Sequence, residues 1–173
     1  MLVIVAIIVI AVVVVGIAAY YVMTTGEEVE PTPTPTPNPV EGATSMRFDV
    51  VVNFEGDLLE TDMFTVKNLG TSDILMRVDQ TDKDGLSFVY LMNQTAQSAW
   101  ANAMDTGFVD DSENFADYWD SNYIGKPAID GYMGALANWS GTGNYEYSSG
   151  DYSYVISNIV VDPDIPDSAF QPA

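Results

Sequence analysis

The sequence contains no cysteine and no histidine. Thiol nucleophiles, disulfides and iron–sulfur ligation are therefore excluded, as are histidine-dependent haem and zinc sites and the Ser-His-Asp triad. No remaining set of residues identifies a reaction, so we expect no cofactor and no enzyme. A glycosidase-like reaction at a pair of carboxylates is the one enzymatic alternative that the composition leaves open, because acidic residues are abundant.

Basic residues are scarce, with 5 Lys and Arg against 25 Asp and Glu, and the net charge is -20. Such a charge repels phosphate backbones, so we expect no nucleic-acid partner. One interpretation of the acids is a solvated face that keeps the domain soluble, for example in a salty habitat where repulsion is screened. The other is binding of divalent cations by clustered carboxylates.

Charge is absent altogether from Met1 to Met23, which read MLVIVAIIVIAVVVVGIAAYYVM. A helix of about 20 apolar residues crosses the ~30 Å hydrocarbon core of a bilayer. Residues 1–25 are therefore predicted to form a transmembrane anchor helix, with the lipid bilayer as the partner of Met1 to Met23. A cleaved signal would carry a basic start and a shorter apolar core.

The segment after the anchor is rich in proline and threonine and reads EPTPTPTPNP from residue 30 to 39. Alternating prolines cannot form a helix and favour extended polyproline II. We expect residues 26–43 to be an extracellular stalk whose threonines can carry O-linked sugars. The acidic remainder has no basic cluster to hold it in the cytoplasm, so residues 44–173 are predicted to be an extracellular domain of a single-pass membrane protein.

The domain alternates between two periodicities. Apolar residues recur at every second position in four early segments and in a final hairpin, which predicts antiparallel strands over 46–54, 62–68, 73–80, 86–92, 144–148 and 151–161. Few β-branched residues and helical spacing predict three short helices over 96–104, 111–123 and 129–136. The expected fold class is therefore α+β, with a transmembrane helix followed by a mainly antiparallel sheet packed on short helices.

Three sets of residues are candidate sites. Acids at a helix start are favourable for local reasons, but the densest acidic patch is also the place to expect a metal, with ligands Asp110, Asp111, Glu113 and Asp117. Aromatic residues predict either a helix packed on the sheet or a ligand-binding surface that includes Phe48, Phe88, Tyr90 and Trp119. N-glycosylation sequons begin at Asn93 and Asn138.

The C-terminal stretch IVVDPDIPDSAF, residues 159–170, resembles the closing strand and tail of envelope lipoprotein carriers of the LolA and LppX kind. The resemblance implies an open antiparallel half-barrel wrapped on helices, which carries acyl chains in an apolar concavity. In this chain an uncleaved span stands where those carriers have a lipid-modified cysteine or a cleavable signal. The implied function is that of a membrane-anchored, non-enzymatic cell-surface domain that binds lipid or another apolar envelope ligand.

Residues 1–25 are similar in composition to the N-terminal helix of archaeal type IV pilins, which bundles in a filament core. No class III cleavage motif precedes the segment, and the proline tract would interrupt a helix continuing into a head domain. The resemblance implies an alternative function, a structural subunit that self-assembles into a surface filament.

Overall fold

A computed structural model describes residues 38–172 of the chain. The predicted anchor over residues 1–25 and most of the predicted stalk therefore lie outside the described residues. Within residues 38–172, no helix is both long enough and apolar enough to cross a membrane.

Residues 38–172 form eight strands, two α-helices and two 3₁₀ turns. The strands are β1 (Ser45–Phe54), β2 (Asp57–Lys67), β3 (Leu75–Asp82), β4 (Ser87–Asn93), β5 (Ser98–Ala103), β6 (Val109–Asp110), β7 (Tyr145–Ser149) and β8 (Tyr152–Val161). The α-helices are α1 (Phe115–Trp119) and α2 (Lys126–Leu136), and the 3₁₀ turns are Ser112–Asn114 and Asp167–Phe170.

The strands form one sheet in the order β6-β5-β4-β3-β2-β1-β8-β7, and every neighbouring pair is antiparallel. Strands β1 to β6 make a meander, and β8 returns to pair with the other side of β1. The β1–β2 connection is a two-residue turn in which Glu55 and Gly56 have φ of 55° and 87°. Positive φ at both positions gives the turn the twist of the strands it joins.

The fold class predicted from the sequence is wrong. Instead of an α+β fold, residues 38–172 are mostly antiparallel sheet and 17% helical, and none of the helices among them is long and apolar enough to span a membrane. One expected helix, over 96–104, is strand β5, which pairs with β4 along its length. The helix expected over 111–123 shortens to a 3₁₀ turn and the five residues of α1. Pairing and packing have overridden the weak local preference of alanine-rich sequence.

The two faces of the sheet are covered by different parts of the chain. On the helix face, which carries Phe48 and Phe64, α2 places the ring of Tyr132 5.9 Å from Phe48, 5.4 Å from Phe64 and 5.5 Å from Tyr154. On the opposite side, the tail face, the segment after β8 packs against β3 and β4, with Phe170 buried. The helix face therefore holds an aromatic core layer beneath α2.

Candidate functional site

A cavity of about 250 Å³ lies between the first turns of α2 and the helix face of the sheet. Tyrosines dominate its wall, and one carboxylate and one amide supply the other polar side chains. The lining residues are Val52, Glu60, Asn122, Tyr123, Pro127, Ala128, Gly131, Tyr132, Tyr152 and Tyr154. This mixture of apolar surface and a few convergent polar groups is typical of sites for small organic ligands.

Strand register builds the floor of the cavity. Val52 of β1 is paired with Glu60 of β2 on one side and with Tyr154 of β8 on the other. Directly paired residues of antiparallel strands project from the same face, so these three side chains form a row. Tyr152 lies two residues before Tyr154 and projects from the same face of β8.

The first turns of α2 form the roof of the cavity. Ala128 and Tyr132 are four residues apart, so both lie on the side of the helix that faces the sheet. Gly131 lies beside them with ordinary helical φ, and a Cβ atom added there would have no atom within 4 Å. A larger side chain at residue 131 could therefore occupy the cavity without straining the backbone.

Asp62 is the one carboxylate of the helix face that is completely shielded from solvent, with 0% of its surface exposed. It follows Glu60 by two positions on β2 and so projects from the same face, next to Phe64. Neither carboxylate oxygen has a hydrogen-bond partner within residues 38–172. Burial, and then the nearby charge of Glu60, raise the pKa of Asp62 to about 7.

Gln80 of β3 is the cross-strand neighbour of Asp62, yet its amide hydrogen-bonds to the other acid. Its Nε2 donates to Glu60 Oε2 over 3.0 Å. The amide is close enough to Asp62 to lower the pKa of that carboxyl somewhat, but the geometry leaves Asp62 without a hydrogen bond. Burial raises the pKa of Glu60 as well. The site therefore holds two poorly solvated acids, of which Glu60 faces the cavity.

Tyrosine hydroxyls around the two acids remain protonated. Burial raises the pKa of Tyr132, and the charges of Asp62 and Glu60 raise it further. The same causes raise the pKa of Tyr90. The salt bridges of the described residues pair Lys67, Arg77, Lys83 and Lys126 with other acids. No salt bridge within residues 38–172 therefore neutralises Asp62 or Glu60.

The four aromatic residues predicted to bind a ligand do not line this cavity. Phe48 is fully buried and stacks on Phe64 with ring centroids 5.3 Å apart. Phe88 and Tyr90 stack on each other along β4, and Trp119 of α1 stacks on Phe115. The structure places them in the packing between the helices and the sheet.

The acids predicted to bind a metal lie along one local segment that includes β6, the first 3₁₀ turn and α1. Asp110 Oδ1 accepts hydrogen bonds from the backbone and the hydroxyl of Ser112, and these bonds lower its pKa. Asp111 accepts from Asn114 and Tyr118. Glu113 and Asp117 are both exposed. Across residues 38–172, no three acidic side chains are grouped as a metal site would require.

The two sequons occupy different positions in the fold. Asn138 is exposed just after α2, followed by the buried Trp139. Asn93 is the last residue of β4, and its Oδ1 accepts a hydrogen bond from the backbone of Ala96 within the β4–β5 turn. Glycosylation at both positions stays a prediction.

Sequence reasoning missed the cavity and its acids. The second strand predicted from the sequence began at Asp62, with Phe64 and Val66 on its apolar face. The period-2 pattern, continued backwards, places Asp62 and Glu60 on that same face. The signal that could have revealed the site was therefore an acidic residue at a strand position where an apolar residue is expected. The sequence alone does not show that the tyrosines of β8 and the residues of α2 lie near these acids, because that depends on the order of the strands and the position of α2.

No family model, curated protein or solved structure matches this chain.

Proposed function

We propose that this chain is a non-enzymatic binding domain that holds a small, partly aromatic ligand in the cavity beneath α2. The observation that carries this proposal is the tyrosine-lined cavity, open beside the otherwise close-packed core around Tyr132. The cavity opens to solvent at Tyr123 and Tyr152, which are exposed, and reaches the buried Val52 and Ala128, so a ligand that enters it would cover apolar surface.

The size and lining of the cavity favour a small ligand over an acyl chain. Its volume of about 250 Å³ is below the range of about 300 to 1,000 Å³ typical of sites for drug-sized ligands. Tyr123, Tyr152 and Tyr154 offer flat faces for stacking and hydroxyls for hydrogen bonds. We therefore favour a single-ring or two-ring compound over the lipid implied by the carrier resemblance.

Binding suits this arrangement better than catalysis. Glu60 is the only carboxylate among the ten residues that line the cavity. Asp62, the nearby second acid, is shielded from solvent. A glycosidase-like mechanism requires two carboxyl groups that flank the substrate, and this cavity offers one. Attachment to a membrane, display outside the cell and filament assembly stay predictions, because residues 1–25 lie outside the described residues.

The proposal can be tested with indole, a neutral aromatic compound small enough for the cavity. We expect indole to shift the backbone amide resonances of Gly131 and Tyr132 in the full-length chain, in a saturable manner. Gly131→Leu should abolish these shifts by filling the space. Gly134→Leu is the matched control, since Gly134 lies one turn further along α2, outside the cavity, with equally open space around it.

Two results would overturn the proposal. One is the absence of saturable shifts at residues 131 and 132 with indole at its solubility limit. The other is equal loss of binding in Gly131→Leu and Gly134→Leu while both variants unfold at the same urea concentration as the wild type.

A further inference from the structure

We infer that the ligand of this cavity carries a cationic ammonium group, which Glu60 binds directly and which Asp62 attracts as a second negative charge behind it. The inference rests on the proposed binding function and names the chemical class of its ligand. It follows from an imbalance within the structure: Glu60 lines the cavity with Asp62 beside it on β2, and the salt bridges of the described residues supply no cation to either acid.

Asp62 lowers the stability of the folded chain as long as its carboxylate has no partner. A buried polar group without a hydrogen bond is destabilising, and a buried charge without a partner more so. Asp62 has 0% exposure, and both its oxygens are unpartnered within residues 38–172. Its neighbours on the helix face are Val50, Phe64, Glu60 and Gln80, and none of them is a cation or hydrogen-bonds to it. A cationic ligand would give this carboxylate an electrostatic partner.

A hydrogen bond orients Glu60. Its Oε2 accepts a hydrogen bond from Gln80, which fixes the carboxylate at the wall of the cavity. The other oxygen, Oε1, accepts no hydrogen bond from the described residues and remains free to accept one from a ligand. An ammonium group is a compact donor with up to three hydrogens, and it matches such an acceptor.

Tyrosine rings lie beside Glu60 in the wall of the cavity. Tyr132 and Tyr154 present rings whose centroids are 5.5 Å apart at a steep angle, and Tyr147 stacks on Tyr154 at 5.0 Å. Ring faces attract cations through their quadrupoles, most strongly where water is excluded. The carboxylate of Glu60 and the tyrosine rings around it therefore both favour a positively charged ligand.

A divalent metal fits the site less well than an organic cation. Calcium takes six to eight oxygen ligands and magnesium about six. Glu60 is the only carboxylate that lines the cavity, and among residues 38–172 no group of three acids is arranged to hold a metal. An organic cation needs only one or two acceptors and gains from the tyrosines.

The experiment compares three ligands that share one ring system: tryptamine (cationic), indole (neutral) and indole-3-acetate (anionic). Each is titrated into the full-length chain at pH 8 and 150 mM salt, with the amide resonances of Gly131 and Tyr132 as the readout. We expect tryptamine to bind at least about tenfold more tightly than indole, and indole-3-acetate to bind more weakly than either. Glu60→Gln should remove the preference for tryptamine over indole.

A control separates the site from the overall charge of the chain. Asp57→Asn removes one negative charge from the same strand at an exposed position outside the cavity, and it should leave the affinity for tryptamine unchanged. Equal binding of tryptamine and indole would overturn the inference while the proposed function stands. A loss in Asp57→Asn as large as in Glu60→Gln would also overturn it, since non-specific attraction would then explain the preference. Failure of all three ligands to bind would instead count against the proposed function.

Discussion

Acidic residues on the two faces of the sheet differ in their partners. On the tail face, Asp79 accepts two hydrogen bonds from Arg77, at 2.7 and 2.6 Å, and Lys67 binds both Asp167 and the backbone oxygen of Ile165. On the helix face, Asp62 is more deeply buried and has neither a cation nor a hydrogen bond within the described residues.

This difference indicates which face is structural and which face is functional. The chain has few bases, and two of them, Lys67 and Arg77, lie on the tail face, where they pair with acids. The acids of the helix face lie beside a cavity and lack such partners. Groups that reduce stability persist where function requires them, so the unpaired Asp62 supports the proposal that the helix face binds the ligand.

The largest expected effect comes from removing the unpaired charge. The folded state raises the pKa of Asp62 from 3.8 to about 7, so it holds the proton more tightly than the unfolded chain does. This carboxyl therefore stabilises the protein least above pH 7 and most below about pH 4. We expect Asp62→Asn to raise the free energy of unfolding at pH 8 by up to about 4 kcal/mol, with the gain disappearing towards pH 4.

Urea unfolding followed by tryptophan fluorescence at pH 8, 6 and 4 measures this effect. The control is Asp57→Asn, which removes the same charge from an exposed position of β2. A destabilising effect of Asp62→Asn at pH 8 would show that Asp62 is paired in solution, and the contrast between the two faces would fail.

Breaking an ion pair on the tail face should have the opposite sign. Arg77→Met leaves Asp79 without its two hydrogen bonds in a site where 24% of the Asp79 side chain is exposed. We expect the free energy of unfolding at pH 7 to fall by roughly 1 to 3 kcal/mol, since hydrogen bonds between charged groups contribute about that much.

Lys83→Met provides the comparison for this prediction. Lys83 pairs with Asp84 at the surface, where both side chains are mostly exposed. Exposed ion pairs contribute little, so no measurable change is expected. Equal losses in Arg77→Met and Lys83→Met would contradict the prediction, because burial would then not distinguish the two pairs.

The sequence predicts the strands better than the site. The pattern of apolar residues located β1, β3, β4 and the final β7–β8 hairpin to within two residues, because burial imposes a regular pattern on each strand. It placed the start of β2 five residues late, at residue 62 instead of Asp57. The same logic failed at β5, where Ala99 and Ala101 pack as small residues beside β4, a role that local preference does not reveal. The site required the order of the strands, since Glu60, Tyr132 and Tyr154 are distant in sequence and meet only through that order.

The smallest expected effect is a change with pH in the affinity of the helix face for its ligand. Between pH 8 and pH 6, Asp62 passes through its pKa of about 7 and loses its charge. Glu60 beside it on β2 also has a raised pKa, while the tyrosines that face the pair, Tyr90 of β4 and Tyr132 of α2, have raised pKa values and stay neutral. Gln80 of β3 does not titrate, and an alkylammonium ligand remains cationic throughout this range.

The affinity for tryptamine should therefore fall about tenfold from pH 8 to pH 6, whereas the affinity for indole should not change. Asp62→Asn should flatten most of this dependence, because the charge that Asp62 loses between pH 8 and pH 6 is then already absent. The same amide titrations at the two pH values measure both affinities. A tenfold fall that persists in Asp62→Asn would assign the effect to Glu60 alone. Asp62 would then reduce stability without contributing to ligand binding. The unpaired charge of Asp62 would no longer distinguish the helix face from the tail face in function.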